Sequence, residues 1–215
     1  MNILYEDNHI LVVEKPINIL VQKDNTKDLD LLTMLKNYLK EKYKKPGNVY
    51  LGLVHRLDRV VGGVMVFAKT SKAADRLSKQ VANHDFKKTY YAVLCGRLKN
   101  NGHLENYLIK DEKTNTSFVK NEGKLAILDY EVLKIINEFT LVKINLKTGR
   151  HHQIRVQFSH IGYPLFGDAR YNKNYHVKEQ IALFAKCLSF NHPISKELME
   201  FSLDLPNRYP FTLFK

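Results

Sequence analysis

The chain has little cysteine: two residues, Cys95 and Cys187, in separate apolar segments and without CxxC spacing. That excludes a disulfide framework and a cysteine zinc site, and both are expected to be reduced core thiols. No stretch approaches the roughly 18 consecutive apolar residues that a membrane span needs. The opening MNILYEDNHILVVEKP carries charges inside its apolar run and lacks a basic start, so it does not read as a secretory leader. A cytoplasmic protein is the expectation. There is no internal repeat, low-complexity segment or linker rich in Pro, Gly or Ser, so residues 1–215 are expected to form a single domain. No Walker loop, GxGxxG fingerprint or HExxH pair is present, so neither a nucleotide cofactor nor a metal is expected. Acidic residues are also in short supply. The 34 Lys and Arg outnumber the 22 Asp and Glu and leave a net charge of +12. Such an excess repels itself and points to a polyanionic partner, nucleic acid first and an anionic membrane second.

What is present reads as many strands with few helices. Ile3–Tyr5 and Ile10–Val13 flank the turn-forming pair Asp7-Asn8, and Lys15-Pro16 ends the second strand. Asp30 is placed to cap a helix running to about Tyr43, with Leu31, Leu32, Leu35, Tyr38 and Leu39 at helical spacing; Pro46-Gly47 stops it. Thr70 or Ser71 caps a second helix, with Ala73, Leu77 and Val81 stacked. Strands are expected over 64–68, 88–94, 125–136, 139–146, 182–190 and 199–205, with further strand-like runs after Leu104. A last helix is expected to begin at the Gly149-Arg150 turn and to run through Ile154, Phe158 and Ile161 to Gly162. Without a strict βαβ rhythm, this argues for an α+β fold around a mostly antiparallel sheet.

Three clusters could carry chemistry. Asp58 lies between Arg56 and Arg59, after His55 and just before Gly62-Gly63. Neighbouring cations favour an ionised carboxylate, and glycines permit close approach of backbone or ligand. The arrangement fits a nucleophile or base held among phosphate-binding groups, but equally a charge-compensated surface loop. In Gly149-Arg150-His151-His152-Gln153-Ile154-Arg155, Arg150 sits at a helix start suited to phosphate, while His152 and Gln153 can hydrogen-bond RNA. Adjacent histidines lack the i, i+4 spacing of helical metal ligands. In Lys87-Lys88-Thr89-Tyr90-Tyr91, the two tyrosines point to opposite faces of a strand, so one can be core and the other can stack on an unstacked base.

Taken in order, HRLDR, KxYxAxV and TGRxHQIRVQFSHIGYPLFGD resemble the motifs of the RluA-type pseudouridine synthases. YEDNHILVVEKP and LSFNHPISKELMEFSLDLP resemble that family's first and last motifs, so the likeness spans nearly the whole chain. It implies a mixed, mainly antiparallel sheet with flanking helices and a central catalytic cleft. It also implies a cofactor-free isomerase that converts uridine in structured rRNA or tRNA to pseudouridine. Asp58 would be the catalytic carboxylate, Tyr90 would stack on the uracil near C5, and Arg155 would pair with Asp58. His55, Arg56, Arg59, Lys88, Arg150, His152 and Gln153 are the expected RNA contacts, and a monomer is expected.

Two departures stand out. Val60-Val61 replaces the hydroxyl residues that usually follow HRLDR, and Asn18 stands where the first motif expects glycine. Asn tolerates a left-handed backbone, so that turn can survive. The chain opens directly in the catalytic motifs, so the catalytic domain is expected to supply most of the RNA recognition itself. Two other functions fit fewer residues: a non-catalytic RNA-binding or assembly protein on the same fold, and a hydrolytic nuclease or glycosidase. The latter would want paired carboxylates or a metal cluster.

Overall fold

The computed structural model describes residues 2–24, 28–172 and 179–215. In chain order the elements are β1 (Asn2–Glu6), β2 (Ile10–Lys15), α1 (Leu31–Lys42), β3 (Gly52–Leu53), β4 (Gly62–Ala68), α2 (Ser71–Ala82), β5 (Lys87–Cys95), β6 (Gly102–Asp111) and β7 (Thr116–Lys120). They continue with β8 (Lys124–Ile136), β9 (Phe139–Leu146), α3 (Gln153–His160), β10 (Leu183–Asn191), β11 (Leu198–Ser202) and a 3-10 turn at Phe211–Phe214. They form two compact units: Met1–Phe86 with Cys187–Leu203, and Lys87–Lys186 with Asp204–Lys215.

In the first unit, β1 pairs with β2 and β2 with β4, both antiparallel; β3 also pairs with β4, and Cys187–Asn191 of β10 pair with β11. Local side-chain chemistry sets the element ends. Asp7 Oδ1 accepts the N–H groups of His9 and Ile10, each at 2.7 Å, and so turns the β1–β2 hairpin. Asp30 caps α1 by accepting from Thr33 N–H, and Thr70 caps α2 by accepting from Ala73 N–H. Ile10, Val12, Val64, Val66, Ala73, Leu77, Phe86 and Phe190 form the buried centre. Glu6 anchors β1 to α1. Burial works against its charge, but hydrogen bonds from Lys42, Lys69, Tyr43 and Tyr38 outweigh that and hold its carboxyl at about 2.

In the second unit, the antiparallel pairings β5–β9, β9–β8, β8–β6 and β6–β7 run in that order, with β7 at the edge. Helix α3 lies on one face. Val156 packs with Leu108 and Ala126, Phe158 meets Tyr130 edge-on at 5.2 Å, and Gln157 donates to Asn106 Oδ1 at 2.8 Å. The helix is not amphipathic, since Gln153 to Phe158 are all buried. It is also shorter than the sequence suggests. It begins at Gln153, because His152 adopts a left-handed conformation (φ 53°) that the helix cannot include. Arg150 therefore lies in the preceding turn. Neither Cys95 nor Cys187 is in a disulfide, and both are half-buried rather than the core thiols expected.

Candidate active site

In the first unit, the segment from His55 to Val61 joins β3 to β4 and carries Asp58 half-buried. Val61 N–H donates to Asp58 C=O at 3.0 Å, closing a turn on the catalytic candidate. His55 Nε2 accepts the N–H of Val66 at 3.1 Å, and its ring meets Phe86 edge-on. That ring nitrogen is used in fixing the loop to β4. Arg56 is exposed. Arg59 is exposed as well, but its Nε donates to Asn18 C=O at 3.2 Å and its Nη2 pairs with Asp28 at 2.8 Å. Asn18 is left-handed (φ 63°), so it takes the conformation expected of the glycine it replaces. Gly62 meets a real need here: a Cβ would lie 3.1 Å from Lys15 C=O and 3.1 Å from Ile17 Cγ2.

The organising residue of this loop is Lys15, which the sequence reading takes only as the end of a strand. Its side chain is 1% exposed, and its Nζ donates to Pro16 C=O at 2.9 Å, Arg59 C=O at 3.0 Å and Val61 C=O at 2.7 Å. An ammonium has three protons, and all three are matched. Two of the acceptors lie one and three residues after Asp58. Burial drives the amine down to about 8, while the Asp58 charge pulls upward and Arg59 pushes further down. The linkage has a definite sign. The folded amine releases its proton near pH 8 and the unfolded one near 10.5, so this group adds stability as pH rises through that window. Lys15→Met should cost about 2–3 kcal/mol by leaving buried carbonyls without donors. The advantage of wild type over Lys15→Met should widen between pH 8 and 10.5. Denaturant titrations across that range check it; a constant difference would contradict the assignment.

In the second unit, Tyr90 and Tyr91 lie on opposite faces of β5, as alternation requires. Tyr90 is 7% exposed and sits opposite Ile144; Tyr91 is half-buried and sits opposite Lys143. Lys88, two residues before Tyr90 and on its face, is half-buried, and burial lowers its pKa.

The Arg150–Arg155 segment is tied down from within. Gln153 is 3% exposed; its Oε1 accepts from Arg150 N–H at 3.0 Å and from Thr148 Oγ1 at 2.8 Å, and its Nε2 donates to Ile127 C=O at 3.1 Å. The amide meant for RNA is thus spent on shaping the turn that presents Arg150. Arg150 is exposed, and its Nε donates to Leu125 C=O at 2.8 Å. His152 Nδ1 meets Tyr171 Oη at 2.8 Å, and His151 Nδ1 meets Ser117 Oγ at 2.9 Å. The two imidazoles lie 3.8 Å apart, centroid to centroid. Burial, followed by the charges of Arg155, His151 and Arg170, drives His152 to about 3, so it is neutral at physiological pH.

Arg155 is 7% exposed and makes a bidentate pair that the sequence reading missed: Nε to Asp168 Oδ2 and Nη2 to Asp168 Oδ1, both 2.7 Å. Asp168 Oδ1 also accepts from the N–H groups of Arg170 and Tyr171. The Tyr171 ring faces the Arg155 guanidinium at 5.1 Å, and Tyr171 Oη accepts the N–H of Ser117. Asp168 closes the quoted motif, so the string contains both partners, but nothing in their 13-residue separation announces the pair.

Comparison with known proteins agrees with the motifs. Residues 9–160 match the family model described as RNA pseudouridylate synthase. An RNA pseudouridine synthase of Aquifex aeolicus, described as uncharacterized, is 35% identical over 97% of this chain and 71% of its own length. The ribosomal large subunit pseudouridine synthase D of Vibrio vulnificus is 33% identical over 96% of this chain and 68% of its own. Among solved structures, human RNA pseudouridylate synthase domain containing 4 superposes with a TM-score of 0.83 at 20% identity, over 99% of this chain and 92% of that one, and shares the fold. With HRLDR, KxYxA and GRxHQIR all inside the matched segment, the chain belongs to the RluA-type RNA pseudouridylate synthase family.

Proposed function

We propose that the chain isomerises uridines in structured ribosomal RNA, with Asp58 as the catalytic carboxylate and Tyr90 and Arg155 acting on the same nucleotide. The observation that carries this reading is the seating of Asp58: a half-buried carboxylate on a loop that a buried lysine holds by the backbone on its C-terminal side. Several relatives are named as large-subunit ribosomal pseudouridine synthases, which favours ribosomal RNA over tRNA as substrate.

The chemistry sets what is needed. The N1–C1′ bond must break, the uracil must turn, and C5 must join C1′. A stacked and paired base cannot turn, so the nucleotide is taken out of its helix. Asp58 acts at the sugar. Tyr90 holds the detached uracil and assists removal of the C5 proton. Arg155 keeps Asp58 ionised. Arg56, Arg59, Lys88 and Arg150 supply contacts to the RNA backbone, with His55, His152 and Gln153 shaping the loops that carry them.

Tritium release from RNA labelled at uridine C5 tests the reading: release by the purified chain supports it, and none from a large-subunit rRNA transcript overturns it. Tyr90→Phe should bind RNA normally and stall after bond cleavage, whereas Tyr90→Ala should also lose about 1–3 kcal/mol of stacking. Equal binding by the two variants would remove the stacking role. RNA affinity should fall steeply with salt, with a log–log slope of roughly −0.7 to −0.9 for each neutralised phosphate. A flat salt titration would show that the +12 charge is not a binding surface.

A further inference from the structure

The β6–β7–β8 region carries two exposed aromatic rings that neither the core nor the catalytic residues use. Tyr107 on β6 is 45% exposed and Phe118 on β7 is 48% exposed. The strand register puts them on one face. Tyr107 lies opposite Lys120 and Ile109 lies opposite Phe118, so 107 and 109 on β6 and 118 and 120 on β7 share a side. The two rings are diagonal neighbours, within reach of a common planar ligand. On the other flank Tyr107 faces Leu125 of β8. The opposite face of the same strands is the buried one, where Leu108, Val119 and Ala126 pack with Val156 of α3. The aromatic face therefore contributes nothing to that core, although two large apolar rings in water are unfavourable.

The charges around this face have a pattern. Lys120 stands beside Tyr107 across the strand pair and follows Phe118 by two residues on the same face. Arg150 hydrogen-bonds the carbonyl of Leu125, Tyr107's partner on the other side. Arg170 holds the β6–β7 turn through the carbonyls of Thr114 and Asn115. Of the acidic groups nearby, Glu105 pairs with His103, Glu112 pairs with Lys110, and the Asp111 carboxylate accepts from Lys113 N–H and Thr114 Oγ1, while Glu122 stands exposed in the β7–β8 turn. Rings on a sheet face between cations are the construction that binds unpaired nucleotides, with bases on the rings and phosphates on the cations.

We propose that the Tyr107–Phe118 face, on the side of the sheet away from Tyr90, is a stacking platform for an unpaired RNA segment of the substrate outside the catalytic site, with Lys120 and Arg150 holding its phosphates. The proposal rests on the RNA-substrate reading above and extends it to a surface outside the catalytic motifs. The platform adds affinity and selects substrates with a single-stranded flank; it takes no part in the chemistry.

The chain contains no tryptophan, so Phe118→Trp introduces a single fluorophore at the platform. Its emission should be quenched on titration with a single-stranded oligouridylate, and quenching should be weaker with a fully paired duplex. A Tyr107→Ser/Phe118→Ser double variant should raise the Kd for RNA with an unpaired flank by about tenfold or more. Its single-turnover rate at saturating RNA should stay within about twofold of wild type. Both sites are exposed, and far-ultraviolet circular dichroism checks that the variant is folded. Wild-type affinity in the double variant, or no quenching of Phe118→Trp, overturns the platform. A double variant that changes only self-association in sedimentation overturns it too, and makes the face a contact between copies. If the wild-type chain itself neither binds RNA nor releases tritium, the RNA-substrate reading has failed, and the platform with it.

Discussion

Asp58→Asn should fold and bind RNA like wild type and yet lose turnover by about a thousandfold or more, the scale at which a positioned acid–base or nucleophilic group contributes. The substitution is nearly isosteric. Backbone contacts hold the loop: Lys15 binds the Arg59 and Val61 carbonyls, His55 accepts from Val66 N–H, and Val61 N–H bonds the Asp58 carbonyl. What Asn loses is the charge and the basic oxygen. Equilibrium binding and single-turnover kinetics on the same RNA separate the two effects. Substantial turnover by the purified variant would remove Asp58 from the chemistry. A large loss of RNA affinity with a normal rate at saturation would make it a binding residue instead.

The second large effect is expected at Asp168. Its pair with Arg155 is buried on both sides, with side-chain exposures of 8% and 0%. Removing one partner leaves a buried charge uncompensated, so Asp168→Ala should cost about 3–5 kcal/mol of stability. The Arg155→Met/Asp168→Ala double variant should be less destabilised than the single, since it buries no orphan charge. Thermal or denaturant unfolding checks both. A single variant as stable as wild type would mean that the pair is relaxed or solvated. Arg155→Lys keeps the charge but loses the planar fork, and should lower the single-turnover rate at saturating RNA. A normal rate there would argue against a partnership between Arg155 and Asp58.

Much of the fold was legible because its signals are short-range. Asp7, Asp30 and Thr70 act on N–H groups two or three residues away, so their turn and caps could be read directly. The 139–146 strand was placed to the residue, and Asn18 took the left-handed conformation expected of it. The motifs likewise put Asp58, Tyr90 and Arg155 forward, since residue type and order carry them. Long-range partners left no such trace. Lys15 reaches acceptors 44 and 46 residues away and looks in the sequence like any strand-ending lysine. The start of α3 was misplaced because Gln153 takes the Arg150 N–H with its side chain, and periodicity cannot register that. Of the two arginines, only Arg155 lies on the helix.

The central claim is that this chain makes pseudouridine in ribosomal RNA through Asp58. The most direct measurement is a map of pseudouridine in large-subunit rRNA from cells carrying wild type, cells lacking the chain, and cells carrying Asp58→Asn at matched protein level. At least one uridine should be modified in the first and unmodified in both of the others. Identical maps in all three would contradict the claim, as would a site that Asp58→Asn restores.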